Sequence, residues 1–211
     1  MDEPGQGRPA AFIDRDGVIN VERDYVHRIE DFELLPGAIP GLRTLQQAGY
    51  ALVVVTNQAG IARGYYTEAD FERLTAHMRH LLQAEGIQLT AVYHCPHHPS
   101  AGLGELRVDC ECRKPAPGML LRASRELGLS LTTSVLVGDK GSDIEAGRRA
   151  GLARCVLVRS GHAPGGDAMA AADATLDDLA QAAAWLTGAH PPRPHHPAAP
   201  LSVDAPLQDR P

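Results

Sequence analysis

Ala11-Phe12-Ile13-Asp14-Arg15-Asp16-Gly17-Val18 is an apolar run that ends in two carboxylates one residue apart. The run predicts a buried β-strand, and the glycine predicts a turn directly after it. Side chains alternate between the two faces of a strand, but where the strand ends Asp14 and Asp16 can both face one cleft and share a cation. The same pattern also occurs where a strand simply ends in a capped turn, so its interpretation depends on the rest of the chain.

The composition of the 211-residue chain fits one domain, because 44% of its residues are hydrophobic and can form a substantial core. A formal net charge of -6 argues against a nucleic-acid-binding protein, which needs a basic face. No apolar stretch approaches the roughly 20 residues of a membrane span, and residues 1–7 lack the features of a signal peptide. We therefore expect a cytoplasmic protein that binds neither nucleic acid nor membrane.

Alternating apolar runs and helical patterns predict a doubly wound α/β domain, with a parallel sheet and helices on both of its faces. Predicted strands lie at residues 11–13, 51–55, 91–93, 135–137, 155–158 and 173–176. Predicted helices span residues 39–48, 68–84, 117–127 and 179–186, and glycines close the first three.

The domain is predicted to span residues 8–187. From residue 188 to residue 211 the chain is rich in proline, alanine and histidine and has too little apolar content to pack, which predicts a disordered tail. No stretch is long enough for a large separate cap domain. Loops must therefore cover any cleft, and its substrate should be small.

Polar side chains follow several of the predicted strands. They are Asp14 and Asp16, the segment 56–58 and the segment 138–143, and a basic pair at 113–114 precedes the helix at 117–127. Ligands of a doubly wound sheet bind beyond the carboxyl ends of its strands, where the strand order reverses. Carboxylates, a hydroxyl group and a lysine can therefore converge on one crevice.

These segments, in this order, resemble the four motifs of the haloacid dehalogenase (HAD) superfamily of phosphatases, over residues 10–160. The resemblance implies that Asp14 attacks phosphorus to form an aspartyl phosphate. It also implies that Asp16 protonates the departing oxygen and then deprotonates the hydrolytic water. Thr56 would hold the phosphoryl oxygens and Lys114 would neutralise their charge, while Asp143 would orient Lys114 or a metal-bound water.

An attacking carboxylate and a phosphate dianion repel each other, so such a site needs a cation. Each pair of like charges ~4 Å apart costs about 4 kcal/mol at an effective dielectric of ~20. Mg²⁺ suits this task because it prefers oxygen ligands and binds one or two carboxylates together with a substrate phosphate. The resemblance implies that the side chains of Asp14 and Asp139 and the backbone carbonyl of Asp16 bind it.

A second metal site is predicted in the loop at residues 95–112. Its candidate zinc ligands are Cys95, His97, Cys110 and Cys112. The one-residue gaps are tighter than is usual in zinc fingers, and His94 or His98 could replace His97. Alternatively Cys110 and Cys112 form a strained redox pair, which a reducing compartment disfavours. Because the loop has few large apolar residues, a structural zinc would order it and place Lys114. Cys155 lies in an apolar strand and is predicted to be a core residue.

Within the superfamily, the motifs at 14–20, 56–64, 95–99, 110–115 and 138–140 resemble the heptose bisphosphate phosphatase branch. The resemblance implies removal of the 7-phosphate of D-glycero-D-manno-heptose 1,7-bisphosphate for surface-glycan synthesis. The substrate contacts that it implies are Glu22, Arg23, Asp24, Tyr25, Asn57, Gln58, Arg113 and Lys140. The planar guanidinium of Arg113 suits a second phosphate. We expect a monomer that acts on a small sugar bisphosphate.

Three other functions remain open at this point. A histidinol phosphatase, from the nearest related branch, would act on a substrate with a single phosphate. A receiver-like switch also uses an aspartate and Mg²⁺, but it keeps its phosphoryl group, whereas Asp16 favours rapid hydrolysis. An inactive sugar-phosphate- or zinc-binding protein would lack an essential catalytic group, and every such group is present in this chain.

Overall fold

The computed structural model describes residues 7–188, and the tail predicted from residue 188 onward lies outside them apart from its first residue. Six parallel strands form one sheet in the order β3-β2-β1-β4-β5-β6. The strands are β1 (Ala10–Ile13), β2 (Ala51–Asn57), β3 (Leu89–Cys95), β4 (Val135–Gly138), β5 (Arg154–Val158) and β6 (Ala174–Leu176). This sheet confirms the predicted doubly wound α/β fold.

Seven α-helices are present within residues 7–188. They are α1 (Ala38–Gln47), α2 (Ala59–Ala62), α3 (Glu68–Ala84), α4 (Gly118–Leu127), α5 (Gly141–Ala150), α6 (Gly166–Ala171) and α7 (Leu179–Thr187). The four predicted helices agree with α1, α3, α4 and α7 to within one residue at each end. The helices α2, α5 and α6 were not predicted, because α2 and α6 are short and α5 begins in a polar segment. No helix of this part of the chain is long and apolar enough to cross a membrane.

Helices cover both faces of the sheet, and each face has its own apolar core. On one face, Ile13 of β1 packs in a core with Leu42 of α1, Met78 of α3 and Leu179 of α7. On the other face, Phe12 of β1 packs in a core with residues of α4 and α5, including Leu120 and Ile144. Because Phe12 and Ile13 are adjacent in β1, they point to opposite faces, and the short strand supports both cores.

The strand order reverses beside β1, which lies between β2 and β4. The chain leaves β1 at Asp14, whose backbone N–H donates to the carbonyl of Val137 in β4 at 3.0 Å. The residues that follow β1 and β4 are therefore neighbours. This is the edge of the sheet at which ligands of doubly wound folds bind.

Strand β2 is longer than the sequence predicted. The segment 56–58 was expected to follow the strand, but Thr56 and Asn57 lie within it and pair with His94 and Cys95 of β3. This pairing between adjacent strands places Cys95, a predicted zinc ligand, next to the motif residues of β2.

Candidate active site

A cleft of about 510 Å³ opens at the carboxyl ends of β1, β2 and β4. The structure brings into its lining all the predicted catalytic and substrate-binding side chains except Arg23: Asp14, Asp16, Glu22, Asp24, Tyr25, Thr56, Asn57, Gln58, Arg113, Lys114 and Lys140. The exposed guanidinium of Arg23 instead forms an ion pair with Glu33. Arg23 therefore does not line the cleft in this structure.

The ammonium group of Lys114 is buried between two carboxylates. Its Nζ lies 3.0 Å from Asp14 Oδ1 and 2.5 Å from Asp143 Oδ1, and it donates to the carbonyl of Val55 at 2.7 Å. Burial by itself would lower the pKa of Lys114, but the carboxylates of Asp14 and Asp143 outweigh it and raise that pKa. Lys114 is therefore a fixed positive charge at the base of the cleft.

Asn57 holds the backbone of Lys114 in place. Its Nδ2 donates to the Lys114 carbonyl at 3.0 Å, and its Oδ1 accepts from the Lys114 N–H at 3.1 Å. Asn57 lines the cleft as predicted, but this pair of hydrogen bonds occupies both ends of its amide. In this arrangement its contribution is to position Lys114.

Asp14, the predicted nucleophile, is buried beside this lysine. Burial raises the pKa of Asp14 to about 6, with Lys114 acting in the opposite direction and the carboxylates of Asp143 and Asp16 adding to the increase. The Arg15 backbone N–H donates to Asp14 Oδ1 at 2.8 Å. Lys114 and the Arg15 N–H thus both favour the ionised carboxylate that a nucleophile needs.

Carboxylate oxygens of Asp14, Asp139 and Asp143 all lie within 4.8 Å of one another. Asp139 Oδ2 accepts from the backbone N–H of His162 at 3.0 Å and contacts its ring Nδ1 at 2.7 Å, whereas the buried Asp139 Oδ1 has no hydrogen-bond partner in residues 7–188. Lys114 pairs with Asp14 and Asp143, whereas Asp139 has no lysine or arginine within 4.0 Å among residues 7–188. This donor set fits a hard divalent cation such as Mg²⁺.

Asp16 lies outside that carboxylate cluster and is held by three neighbouring side chains. Arg15, only 1% exposed, donates from Nε and Nη2 to Oδ1 at 3.1 and 2.9 Å and from Nη2 to Oδ2 at 2.9 Å. Asn20 Nδ2 and Gln58 Nε2 also donate to Asp16, at 3.0 and 3.1 Å. Arg15 and Asn20 were not among the predicted site residues. An arginine inside an apolar motif was the available signal, because a buried arginine needs a carboxylate partner.

Gln58 connects Asp16 to Thr56. Its Nε2 donates to Thr56 Oγ1 at 2.7 Å as well as to Asp16. Its Oε1 accepts from Tyr66 OH at 2.6 Å and from Arg15 Nη2 at 3.3 Å. Because Tyr66 and Arg15 donate to the carbonyl end, the NH₂ end must face Asp16 and Thr56. Sequence reasoning did not find Tyr66, which lies eight residues from Gln58.

The segment after β1 forms one wall of the cleft. Glu22 Oε2 lies 3.5 Å from Lys140 Nζ across the cleft, and Glu22 Oε1 accepts from the Asp24 N–H at 3.0 Å. Burial and the charge of Asp16 raise the pKa of Glu22. Asp24 and Tyr25 have positive φ values of 50° and 59°, a region that non-glycine residues seldom adopt. This backbone places both side chains at the cleft.

Arg113 and Arg63 supply positive charge at the cleft. Arg113 Nη1 donates to the His97 carbonyl at 3.1 Å. His98 also lines the cleft, and burial, Arg113 and Arg63 together lower its pKa. Arg63 and His98 were not predicted as cleft residues, because their contact with it depends on how two distant loops pack.

The predicted zinc ligands form a compact cluster. The sulfur atoms of Cys95, Cys110 and Cys112 lie 3.1 to 3.5 Å apart, and His97 Nδ1 lies 3.4 Å from Cys112 Sγ. Zn–S bonds of about 2.3 Å in a tetrahedron would separate the sulfurs by roughly 3.7 Å, so the spacing is close to that of a metal centre. None of the cysteines is in a disulfide bond.

Neither alternative histidine belongs to this cluster. His94 Nε2 lies 2.7 Å from Glu68 Oε2, and His98 Nδ1 accepts from the Ala101 N–H at 3.0 Å. The geometry therefore favours His97 as the nitrogen ligand. Cys155 lies in β5 and is buried in the core against Gly147 of α5, as predicted.

Comparisons with known proteins agree with this architecture. The sequence model of the HAD-hydrolase-like family matches residues 111–182. D-glycero-alpha-D-manno-heptose-1,7-bisphosphate 7-phosphatase from Photorhabdus laumondii is 50% identical over 152 residues, which are 72% of this chain and 83% of that protein. D-glycero-beta-D-manno-heptose-1,7-bisphosphate 7-phosphatase from Yersinia pestis is 47% identical over 175 residues, covering 83% and 93% of the two chains.

A solved structure extends the similarity to three dimensions. D,D-heptose 1,7-bisphosphate phosphatase from B. bronchiseptica, solved with magnesium and phosphate, is 32% identical with a TM-score of 0.73, covering 85% of this chain and 98% of that one. The similarity to the curated relatives spans most of both chains, and the motifs on which it depends converge in one cleft. The chain belongs to the heptose-1,7-bisphosphate 7-phosphatase family of HAD phosphatases.

Proposed function

We propose that this protein hydrolyses the 7-phosphate of D-glycero-D-manno-heptose 1,7-bisphosphate with Mg²⁺. The observation that carries this proposal is the placement of Lys114 between Asp14 and Asp143, next to the carboxylate of Asp139. A nucleophile, a fixed cation and a set of metal ligands thereby share one cleft. The names of the relatives supply the sugar, and the cleft of about 510 Å³ has room for a small bisphosphate.

In the first step, the Asp14 carboxylate attacks phosphorus, and the bond from phosphorus to the sugar 7-oxygen breaks. Asp16 gives a proton to that oxygen, so the sugar leaves as a neutral alcohol. In the second step, water attacks the aspartyl phosphate while Asp16 takes a proton back. The carboxylate of Asp14 is regenerated and inorganic phosphate is released.

Lys114 and Thr56 stabilise the phosphoryl group as its charge redistributes. Lys114 is positioned before substrate arrives, because Asn57 holds its backbone and two carboxylates hold its ammonium group. Gln58 orients the Thr56 hydroxyl, since it donates to Thr56 Oγ1 and leaves the hydroxyl proton free for a phosphate oxygen. Such preorganisation lowers the reorganisation cost of the reaction.

Asp14, Asp139 and the backbone carbonyl of Asp16 would hold Mg²⁺. When bound, the ion offsets the repulsion between the Asp14 carboxylate and the phosphate dianion. Among residues 7–188 the buried Oδ1 of Asp139 has no hydrogen-bond partner, which supports this assignment because a buried carboxylate oxygen is costly without a cation. Asp143 lies in the same cluster and pairs with Lys114, which favours its role in orienting that lysine.

Zn²⁺ bound by Cys95, His97, Cys110 and Cys112 would have a structural role. Cys112 directly precedes Arg113 and Lys114, so a metal at this cluster would restrain the backbone of both cations. Few large apolar side chains of the loop are buried, and exposed Leu103 and Val108 show how little apolar packing is available there. The metal would supply order that burial does not.

A phosphate-release assay tests the proposed reaction. The panel contains both anomers of heptose 1,7-bisphosphate, heptose 7-phosphate and histidinol phosphate, each with Mg²⁺. We expect the highest kcat/KM on a heptose bisphosphate and no turnover by Asp14→Asn. A preference for histidinol phosphate would replace this proposal, and equal release by Asp14→Asn would reject the nucleophile. A wild-type aspartyl phosphate that persists for minutes would instead indicate a switch.

A further inference from the structure

His162 makes two contacts with one oxygen of Asp139, the carboxylate that directly follows β4. Its backbone N–H donates to Asp139 Oδ2 at 3.0 Å, and its ring Nδ1 lies 2.7 Å from the same oxygen. An ionised carboxylate only accepts hydrogen bonds, so the ring nitrogen must carry the proton of this contact. His162 therefore presents two donors to Asp139 Oδ2.

The other oxygen of Asp139 has no such restraint. The Asp139 side chain is fully buried, and its Oδ1 has no hydrogen-bond partner among residues 7–188. A carboxylate that is held at one oxygen keeps its other oxygen in a defined direction, as a metal ligand requires. The two contacts with His162 thus set the orientation of the free oxygen.

The loop after β5 holds His162 in this position. Ser160 Oγ donates to the Gly17 carbonyl at 2.7 Å, which ties the loop to the turn after β1. Gly161 lies so close to Asp139 that a Cβ there would collide with Oδ2 and with the Gly17 backbone. The His162 side chain itself is 46% exposed, so its ring can be replaced without removing core packing.

We propose that His162 is a positioning residue for Asp139, whose Oδ2 it holds so that Oδ1 is available as a Mg²⁺ ligand. This inference rests on the Mg²⁺ site of the proposed function. Groups that orient a metal ligand typically contribute about 10- to 100-fold to metal affinity. The His162 side chain also lines the cleft, so the test must separate this role from direct contact with substrate.

The test measures the Mg²⁺ affinity of the substrate-free protein by calorimetry, for the wild type and for His162→Phe. Phenylalanine keeps a planar ring and the backbone N–H but removes the ring donor. We expect the dissociation constant for Mg²⁺ to rise about 10- to 100-fold. In phosphate-release assays, the Mg²⁺ concentration that gives the half-maximal rate should rise by a similar factor, and turnover should recover as Mg²⁺ approaches saturation.

Three further variants isolate the ring donor. His162→Asn is the conservative variant, because its amide N–H can donate to the same oxygen, and it should stay close to the wild-type Mg²⁺ affinity. His162→Ala removes the donor without adding an aromatic ring and should match His162→Phe. His80→Phe replaces an exposed histidine of α3 and should leave Mg²⁺ affinity unchanged. Thermal unfolding midpoints without Mg²⁺ should stay near wild type for all four variants.

The outcomes distinguish this inference from the proposed function. Loss of Mg²⁺ affinity in His162→Phe and His162→Ala, with recovery in His162→Asn, supports the inference. Wild-type affinity in His162→Phe, or an equal loss in His162→Asn, overturns it while the Mg²⁺ site stands. A higher KM for the sugar bisphosphate with unchanged Mg²⁺ affinity also overturns it, in favour of substrate contact. If the wild type neither binds Mg²⁺ nor needs it for turnover, the proposed metal site fails and this inference fails with it.

Discussion

Lys114 Nζ lies 2.5 Å from Asp143 Oδ1, although the two residues come from different segments of the chain. Lys114 precedes α4, whereas Asp143 lies in the first turn of α5, where its Oδ2 also accepts from the Lys140 backbone N–H at 3.0 Å. The same carboxylate thus caps a helix and holds the cation of the cleft. The start of α5 and the position of Lys114 are therefore linked.

We expect Asp143→Asn to lower kcat by roughly 10- to 100-fold, because the variant weakens the positioning of Lys114 while Asp14 is unchanged. Asparagine has nearly the same size and keeps an oxygen that can accept from Lys140, so α5 should still form. The measurement is steady-state phosphate release. The matched control is Glu145→Gln in the same helix, whose exposed carboxylate pairs only with Arg149 and should be dispensable. Wild-type kcat in Asp143→Asn would show that this ion pair does not position Lys114.

If the cysteine cluster binds zinc as proposed, Cys110→Ser should abolish that binding and loosen residues 95–112 without removing the nucleophile. Elemental analysis should show loss of zinc, and hydrogen exchange should show faster exchange in that loop. Turnover should fall because the backbone before Lys114 is less restrained. Cys155→Ala is the control and should retain any zinc, since Cys155 lies in β5 against α5 and is not part of the cluster. Wild-type stability and turnover of metal-free Cys110→Ser would contradict the proposed structural role.

Gly161→Ala should weaken Mg²⁺ binding. A Cβ at residue 161 would collide with Asp139 Oδ2 and with the Gly17 backbone, so the carboxylate of Asp139 must move. Disturbing the groups that orient a metal ligand typically lowers metal affinity about 10- to 100-fold. Calorimetric Mg²⁺ titration and the Mg²⁺ dependence of turnover should both report this change. Gly165→Ala is the matched control, because no atom lies within 4 Å of a Cβ at that residue. Unchanged affinity in Gly161→Ala would argue against Asp139 as a ligand.

Asp173 gives the folded state a predictable dependence on pH. Burial acts to raise the pKa of Asp173. The hydrogen bond from the Cys155 N–H at 2.7 Å and the ion pair with Arg148 at 3.1 Å outweigh burial, so the pKa lies below its usual value. A group with a lowered folded-state pKa stabilises the protein above its unfolded-state pKa, and this contribution is lost as the pH falls through the folded-state value.

Asp173→Asn should therefore lower the free energy of unfolding by about 1–2 kcal/mol at pH 7, with a difference from wild type that shrinks below about pH 4. Urea unfolding at several pH values measures this. Asp177→Asn is the control, because its pairing with Arg159 is exposed and should contribute less than about 0.5 kcal/mol. A difference in unfolding free energy between variant and wild type that grows toward acid pH would contradict this prediction.

The alternation of apolar runs and helical patterns was sufficient to predict the fold class, because short apolar runs and glycine turns act locally. Asp14, Thr56, Lys114 and Asp139 were expected to converge because the carboxyl ends of parallel strands meet at one edge. The zinc cluster was likewise predicted from the sequence, because cysteine and histidine residues occur there at short spacing. The ends of β2 and the start of α5 were harder to predict. Pairing with β3 determines how far β2 extends, and the cap formed by Asp143 determines where α5 begins.

For this protein, the sequence by itself determined which elements form and which reactive groups follow them, because strand and helix periodicity and ligand chemistry are properties of adjacent residues. Only the tertiary structure decided that Gln58 holds Asp16 and that Arg23 pairs with Glu33 instead of lining the cleft. Those facts depend on distances between residues that are not adjacent in the chain. The packing of segments across the sheet sets such distances, and one sequence contains no local signal for them.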